Sequence, residues 1–146
     1  MKRTTGLVLA VTAALCAGSS MRAAEPSLYE RLGGMPAIRA VVGGLLDRIQ
    51  KDDRVNGWFG WAAQPQAAAS YKASLADFVC QASGGPCTYR GPDLKSVHTG
   101  MAITQEAFHS VVEDLTAVLD QLKVPAAERN ELLGLLAPLQ GQIVGQ

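Results

Sequence analysis

Aromatic side chains make up only 5% of this sequence and charged ones 18%, and its thirteen lysines and arginines are matched by thirteen aspartates and glutamates. Without an excess of basic residues there is no positive stripe to set against phosphates, which excludes a nucleic-acid partner. No block of like charge stands out, and 48% of the residues are apolar, so a disordered chain is excluded too. The glycines and prolines are scattered rather than periodic, which rules out a collagen-like class. No extended run of alternating β-branched residues signals a strand. Histidine occurs twice and cysteine three times, with no second Cys/His pair near the cysteines to complete a zinc site. Neither a glycine-rich phosphate loop behind a strand nor a nucleophile elbow is present. What remains is 146 residues with helical periodicity, a length suited to one domain that buries roughly two-thirds of its unfolded surface without a metal or disulfide staple.

The first 24 residues differ from the rest. Lys2 and Arg3 precede an apolar run from Gly6 to Leu15, and the small residues Ala17, Gly18, Ser19 and Ser20 follow. This is the three-part order of a secretory signal, and the run is too short for a membrane span. The expected organisation is therefore a signal peptide over 1–24 and a folded domain over 25–146, with export to the periplasm. Cleavage fits either the Ala17-Gly-Ser19 motif or a cut after Ala24, although the latter sets Arg22 where a small side chain is wanted. A membrane tether would require lipidation at Cys16, and Leu15 before it fits a lipobox poorly. Loss of residues 1–24 removes Lys2, Arg3 and Arg22 and no acid, leaving ten basic and thirteen acidic residues, a mildly acidic product. Cys80 and Cys87 remain. They can pair across Gln-Ala-Ser-Gly-Gly-Pro in an oxidising compartment, or stand as two thiols.

The body of the chain predicts helices throughout. Ser27 to Arg31 opens with a short one ended by Gly33-Gly34, and Pro36 suits a first helical turn. Ile38, Val41, Val42, Leu45, Leu46 and Ile49 then form an apolar stripe. Gly43-Gly44 interrupts it at a cost of about 1–2 kcal/mol relative to alanines, a loss that a close helix–helix approach would explain. Asp52 to Gly60 is a turn carrying Trp58 and Phe59, and 61–69 is a loose stretch split by Pro65. A third helix shows Tyr71, Leu75, Phe78 and Val79 on one face and stops at Ser83-Gly84-Gly85-Pro86. Leu94 to Thr99 is a short helix carrying His98, Thr104 can cap the next, and Pro125 opens the last. On spacing alone His98 is an ordinary histidine among apolar neighbours.

Five segments change that reading. Leu28-Tyr-Glu-Arg-Leu-Gly-Gly34, Arg54-Val-Asn-Gly-Trp-Phe59, Phe78-Val-Cys-Gln-Ala-Ser-Gly-Gly-Pro86 with Tyr89 and Gly91, Leu94-Lys-Ser-Val-His98, and Gly100-Met-Ala-Ile-Thr104 with Phe108 stand in one order over residues 27–143. Together they resemble the truncated haemoglobins of group I. The resemblance implies an all-α two-over-two helical sandwich, with 36–50 against 69–83 and 104–122 against 125–142. It implies haem b and reversible binding of a diatomic gas (dioxygen, nitric oxide or carbon monoxide), with an unidentified reductase as a candidate partner. It makes His98 the iron ligand, with its second ring nitrogen bonded to a nearby carbonyl. Phe59 would press on the porphyrin, and Phe78 and Val79 would line the pocket from the distal helix. Leu94, Val97, Met101, Ile103, Phe108 and Val112 would complete the apolar wall. Lys95 and Arg90 can meet propionates or stand as surface charges. No Cys-x-x-Cys-His occurs, so covalent c-type attachment is not indicated.

Two positions depart from the family's pattern. Leu46 stands where many relatives carry a tyrosine, and Leu75 where a glutamine often helps. Tyr71, one turn before Leu75, is the one polar candidate left in the distal pocket. It can donate to a bound gas, or pack at the pocket mouth with its hydroxyl in water. The segment 60–70 is longer than in those relatives, which can displace it. Nitric oxide dioxygenation and peroxide chemistry are the enzymatic alternatives. A helical interaction module without haem is a third, against which His98 and Phe59 both speak.

Overall fold

A computed structural model describes residues 24–146, whose regular structure is helical throughout. The expected signal peptide lies outside the described residues except for Ala24. Helix α1 (Leu28–Leu32) begins at Ser27, which accepts from the Glu30 amide at 3.2 Å while its own amide donates to the Glu30 carboxylate at 2.8 Å. This reciprocal cap satisfies two amides that the first turn leaves open. Gly33, at φ 101°, ends the helix in a conformation that only glycine adopts without strain.

Helix α2 (Gly34–Ile49) is the hub, and its stripe divides into two faces. Val41, Leu45 and Ile49 pack into the main core with Ala107, Leu115, Val118 and Leu119 of helix α5 (Gln105–Gln121). Ile38 and Val42 pack with Ala76 and Cys80 of helix α3 (Pro65–Ala82). Offsets of four residues set each face, so one amphipathic helix serves two neighbours. The close approach expected at the glycine pair holds for only one of the two. A Cβ on Gly44 would lie 2.9 Å from Val118 Cγ1, whereas one on Gly43 would meet nothing within 4 Å.

Residues 61–69 are not loose. A 3-10 helix runs over Asn56–Ala63, and α3 starts at Pro65. Proline at the first helical position sacrifices no intrahelical bond, and alanines at 67–69 favour the helix behind it. Helix α4 is Leu94–His98. The expected last helix over 125–142 is two pieces, helix α6 (Ala126–Leu136) and a 3-10 turn over Ala137–Gln142. Pro138 has no amide to continue an α-helical ladder. The expected second pair forms, α5 against α6, in an all-helical two-over-two fold; α5 also lies on α2, α6 on α1 and the final 3-10 turn on α4.

Cys80 and Cys87 form a disulfide with Cα atoms 5.8 Å apart. The turn before Phe59 is tied to α5 by Arg54, which binds Asp52 and Glu113, each at 2.7 Å. The last residues return to the segment after His98: Gln146 accepts from the Ala102 amide at 3.2 Å, and the Gly145 amide donates to Ile103 at 3.0 Å. Ala102 sits at φ 49°, a left-handed conformation costing about 1–3 kcal/mol that such contacts must hold. Among the described residues no helix is long and apolar enough to cross a membrane.

Candidate functional site

The imidazole of His98 is aimed by its own helix. Asp93 caps α4, accepting from the Ser96 amide at 2.9 Å and the Ser96 hydroxyl at 2.6 Å, and these two bonds hold the Asp93 carboxyl below its ordinary range. One turn of helix later His98 Nδ1 lies 2.6 Å from the Leu94 carbonyl. That carbonyl can only accept, so Nδ1 carries a proton and Nε2 is the nitrogen left to meet a metal. This is the arrangement of a histidine prepared to bind a metal. Among the described residues no group of three or more histidine, cysteine, aspartate or glutamate side chains is placed to hold a metal ion.

Most of the residues expected to line the pocket share one degree of burial. Phe59, Leu75, Phe78, Val79, Leu94, His98, Met101, Ile103, Phe108 and Val112 are each half-buried, and so is Tyr71. One step away on the same helices, Ala76, Cys80, Ala107 and Leu115 are fully buried. Phe59, Leu75, Val79 and Ile103 pack against the main core while keeping part of their apolar surface open. Two expected lining residues behave differently. Val97 is 41% exposed, and Leu46 is 1% exposed within the core. Arg90 and Lys95 are both exposed. A separate apolar cavity of about 250 Å³, lined by Leu32, Ile38, Val41, Leu122, Val124 and Leu132 among others, meets the expected lining only at Val79.

Tyr71 is enclosed by rings. Its centroid lies 4.9 Å from Trp61 and 6.0 Å edge-on from Phe59, and those two rings are 5.8 Å apart. Burial pushes the Tyr71 phenol up to about 12, and Tyr89 adds to the rise. It is therefore a hydrogen-bond donor at any physiological pH; its hydroxyl bonds no described residue and, since Asp114 Oδ2 is the only buried unpartnered side-chain oxygen or nitrogen among them, it keeps contact with solvent. Trp61 is a residue that sequence reasoning missed, because it falls in the stretch read as loose. The signal available was that the chain's two tryptophans flank Phe59. Lys72, the next residue along α3, turns away to Asp47 on α2 at 3.7 Å.

The loop from α3 to α4 is held by close contacts that explain its glycines. The Tyr89 amide donates to Gln81 Oε1 at 2.8 Å, its hydroxyl donates to the Pro92 carbonyl at 3.0 Å, and its ring meets Phe78 edge-on at 5.3 Å. A Cβ on Gly91 would lie 2.2 Å from the Tyr89 hydroxyl, and one on Gly85 would lie 2.5 Å from the Tyr29 ring and 2.6 Å from Cys80 Sγ. A side chain at either position would force its neighbour to move: the Tyr89 ring at 91, the Tyr29 ring and the disulfide at 85.

Residues 27–144 match the bacterial-like globin family. A group 1 truncated haemoglobin of Mycolicibacterium paratuberculosis is 35% identical over 84% of this chain and 88% of its own length. One from Tetrahymena thermophila is 31% identical over 68% of this chain and 79% of its own. The crystal structure of the truncated haemoglobin of Tetrahymena pyriformis in its Fe(III) form superimposes with a TM-score of 0.74 at 26% identity, covering 83% of this chain and all of that one.

Proposed function

The chain belongs to the bacterial-like globin family, and from that premise we propose that it is a haem b globin that reversibly binds a diatomic gas. The observation that carries the proposal is the His98 imidazole, with Nδ1 committed to the Leu94 carbonyl at 2.6 Å and Nε2 left free. The donor set fits haem: one imidazole whose Nδ1 is already engaged, and apolar side chains with partly open surface. His98 would hold the iron. Phe59, Phe78, Val79, Leu94, Met101, Ile103, Phe108 and Val112 would enclose the porphyrin, with Val97 at its exposed rim. Ferrous haem supplies the coordination position at which dioxygen, nitric oxide or carbon monoxide binds.

On the gas side, Leu46 and Leu75 offer no donor. Tyr71 offers one, and burial keeps its proton in place. A hydrogen bond from it to a polarised ligand is worth about 1.5–3 kcal/mol, or roughly 10- to 150-fold in retention. A single hydroxyl in an otherwise apolar distal pocket supports gas binding over a dedicated haem enzyme, with a reductase keeping the iron ferrous. The tripartite N-terminus and the Cys80–Cys87 disulfide support export to an oxidising compartment such as the periplasm.

Reconstitution of residues 25–146 with haem tests the proposal. The expected result is a Soret band that shifts on reduction and again under carbon monoxide, and that His98→Ala abolishes or sharply weakens. A His98→Ala variant with the wild-type spectrum and haem affinity would overturn the assignment.

A further inference from the structure

We propose that Trp61 is a positioning residue that sets where the Tyr71 hydroxyl points, and that Trp58 ties this setting to the backbone beside His98. The inference rests on the reading of Tyr71 as the donor to the bound gas. A phenol with no hydrogen bond of its own takes its orientation from whatever its ring packs against. For Tyr71 those neighbours are Trp61 at 4.9 Å and Phe59 at 6.0 Å, both on the same 3-10 segment.

Trp61 is itself fixed. Its indole N–H donates to the Trp58 carbonyl at 3.1 Å, one turn back on the same segment. The Trp58 indole N–H donates in turn to the Met101 carbonyl at 2.9 Å, three residues after the imidazole. Side chains three apart on a 3-10 helix eclipse one another. Here the backbone breaks between them, at Phe59 (φ −113°, ψ 17°), so the two indoles reach different neighbours. The result is a short chain of contacts, Met101 to Trp58 to Trp61 to Tyr71. It spans from the segment carrying the iron ligand to the hydroxyl on the opposite helix. The long segment between Gly60 and Ser70 therefore does not leave Tyr71 adrift, because Trp61 within it packs against the ring.

The test uses the haem-loaded ferrous carbon monoxide complex and its infrared C–O stretch, a band that moves when a neighbouring group donates a hydrogen bond to the ligand. Tyr71→Phe should shift the band and so mark the state without a donor. Trp61→Leu should lose the wild-type band in favour of the Y71F position, or split it, while Trp61→Phe should keep it because a ring still packs on Tyr71. In the Y71F background, Trp61→Leu should change nothing further. If Trp61→Leu does not fold, Trp61→Met serves as the second ringless variant, with far-ultraviolet circular dichroism and the Soret band as checks on both. A ringless variant whose band matches wild type in position and width, while Y71F moves it, overturns the role of Trp61. A band that Y71F leaves unmoved instead overturns the donor reading of Tyr71, and the inference falls with it.

Discussion

Alanine at Gly43 should stabilise the protein and alanine at Gly44 should not, although the two residues are adjacent in one helix. Each substitution removes a helix-interior glycine, a gain of about 0.8–1 kcal/mol. At position 43 the new methyl meets nothing within 4 Å, so the gain stands. At position 44 it would lie 2.9 Å from Val118 Cγ1, and Val118 is 2% exposed within the core. Overpacking of that kind costs about 1–3 kcal/mol, so the net for Gly44→Ala is roughly zero to 2 kcal/mol of destabilisation. For a domain of this size 1 kcal/mol moves the midpoint by about 3–6 °C. Thermal unfolding followed by circular dichroism should therefore raise the midpoint for Gly43→Ala and lower it or leave it flat for Gly44→Ala. Adding Val118→Ala to the second variant should relieve part of its loss, beyond what the two single changes would sum to. Equal gains from both alanines would refute the claim that α2 and α5 meet through Gly44.

Stability should also fall between pH 10 and about 12. The folded protein holds the Tyr71 proton up to about 12, while an unfolded tyrosine loses it near 10. The unfolded state thus binds fewer protons in that window, and folding weakens by up to about 3 kcal/mol. Urea titrations across the window should show the fall, and Tyr71→Phe should remove most of it. Asp93→Ala should fray α4 by about 1 kcal/mol and speed haem loss to an acceptor protein, whereas Asp93→Asn, still able to cap, should largely retain haem. Replacing Cys80 and Cys87 with serine releases a short closed loop, for which the chain-entropy relation gives about 2.5 kcal/mol. Denaturant midpoints should fall accordingly, and adding a thiol reductant should reproduce the fall in the unmutated chain and not in the double variant.

The sequence made the helices legible where period, cap and stop agreed. Ser27 with Glu30, the stripe from Ile38 to Ile49 and Thr104 before α5 each carried several signals at once. It misled at Pro65, because the same residue breaks one helix and opens another, and only the alanines behind it decide. The segment at Pro138 failed for the opposite reason, since apolar periodicity continued through a residue that cannot hydrogen-bond. The reading of His98 as an iron ligand comes from the family resemblance, since spacing and apolar neighbours alone make it an ordinary histidine. The bond from Nδ1 to the Leu94 carbonyl follows once α4 is a helix, four residues being one turn. Trp61 was not legible, because its role depends on contacts with a helix that begins four residues later and on a backbone break that no residue type announces. The glycines at 85 and 91 looked like turn residues, but what they provide is clearance for Tyr29, Cys80 and the Tyr89 hydroxyl, a property of other elements.

The pairing of Gly145 and Gln146 with Ile103 and Ala102 bears on how this globin is handled at the bench. A purification handle fused behind Gln146 would tug on a segment that begins four residues past the imidazole and already holds an alanine in a reluctant backbone shape. Gas affinities measured on such a fusion would describe the attachment as much as the molecule. Moving the handle to the opposite end, or cutting it off, is the control that separates the two.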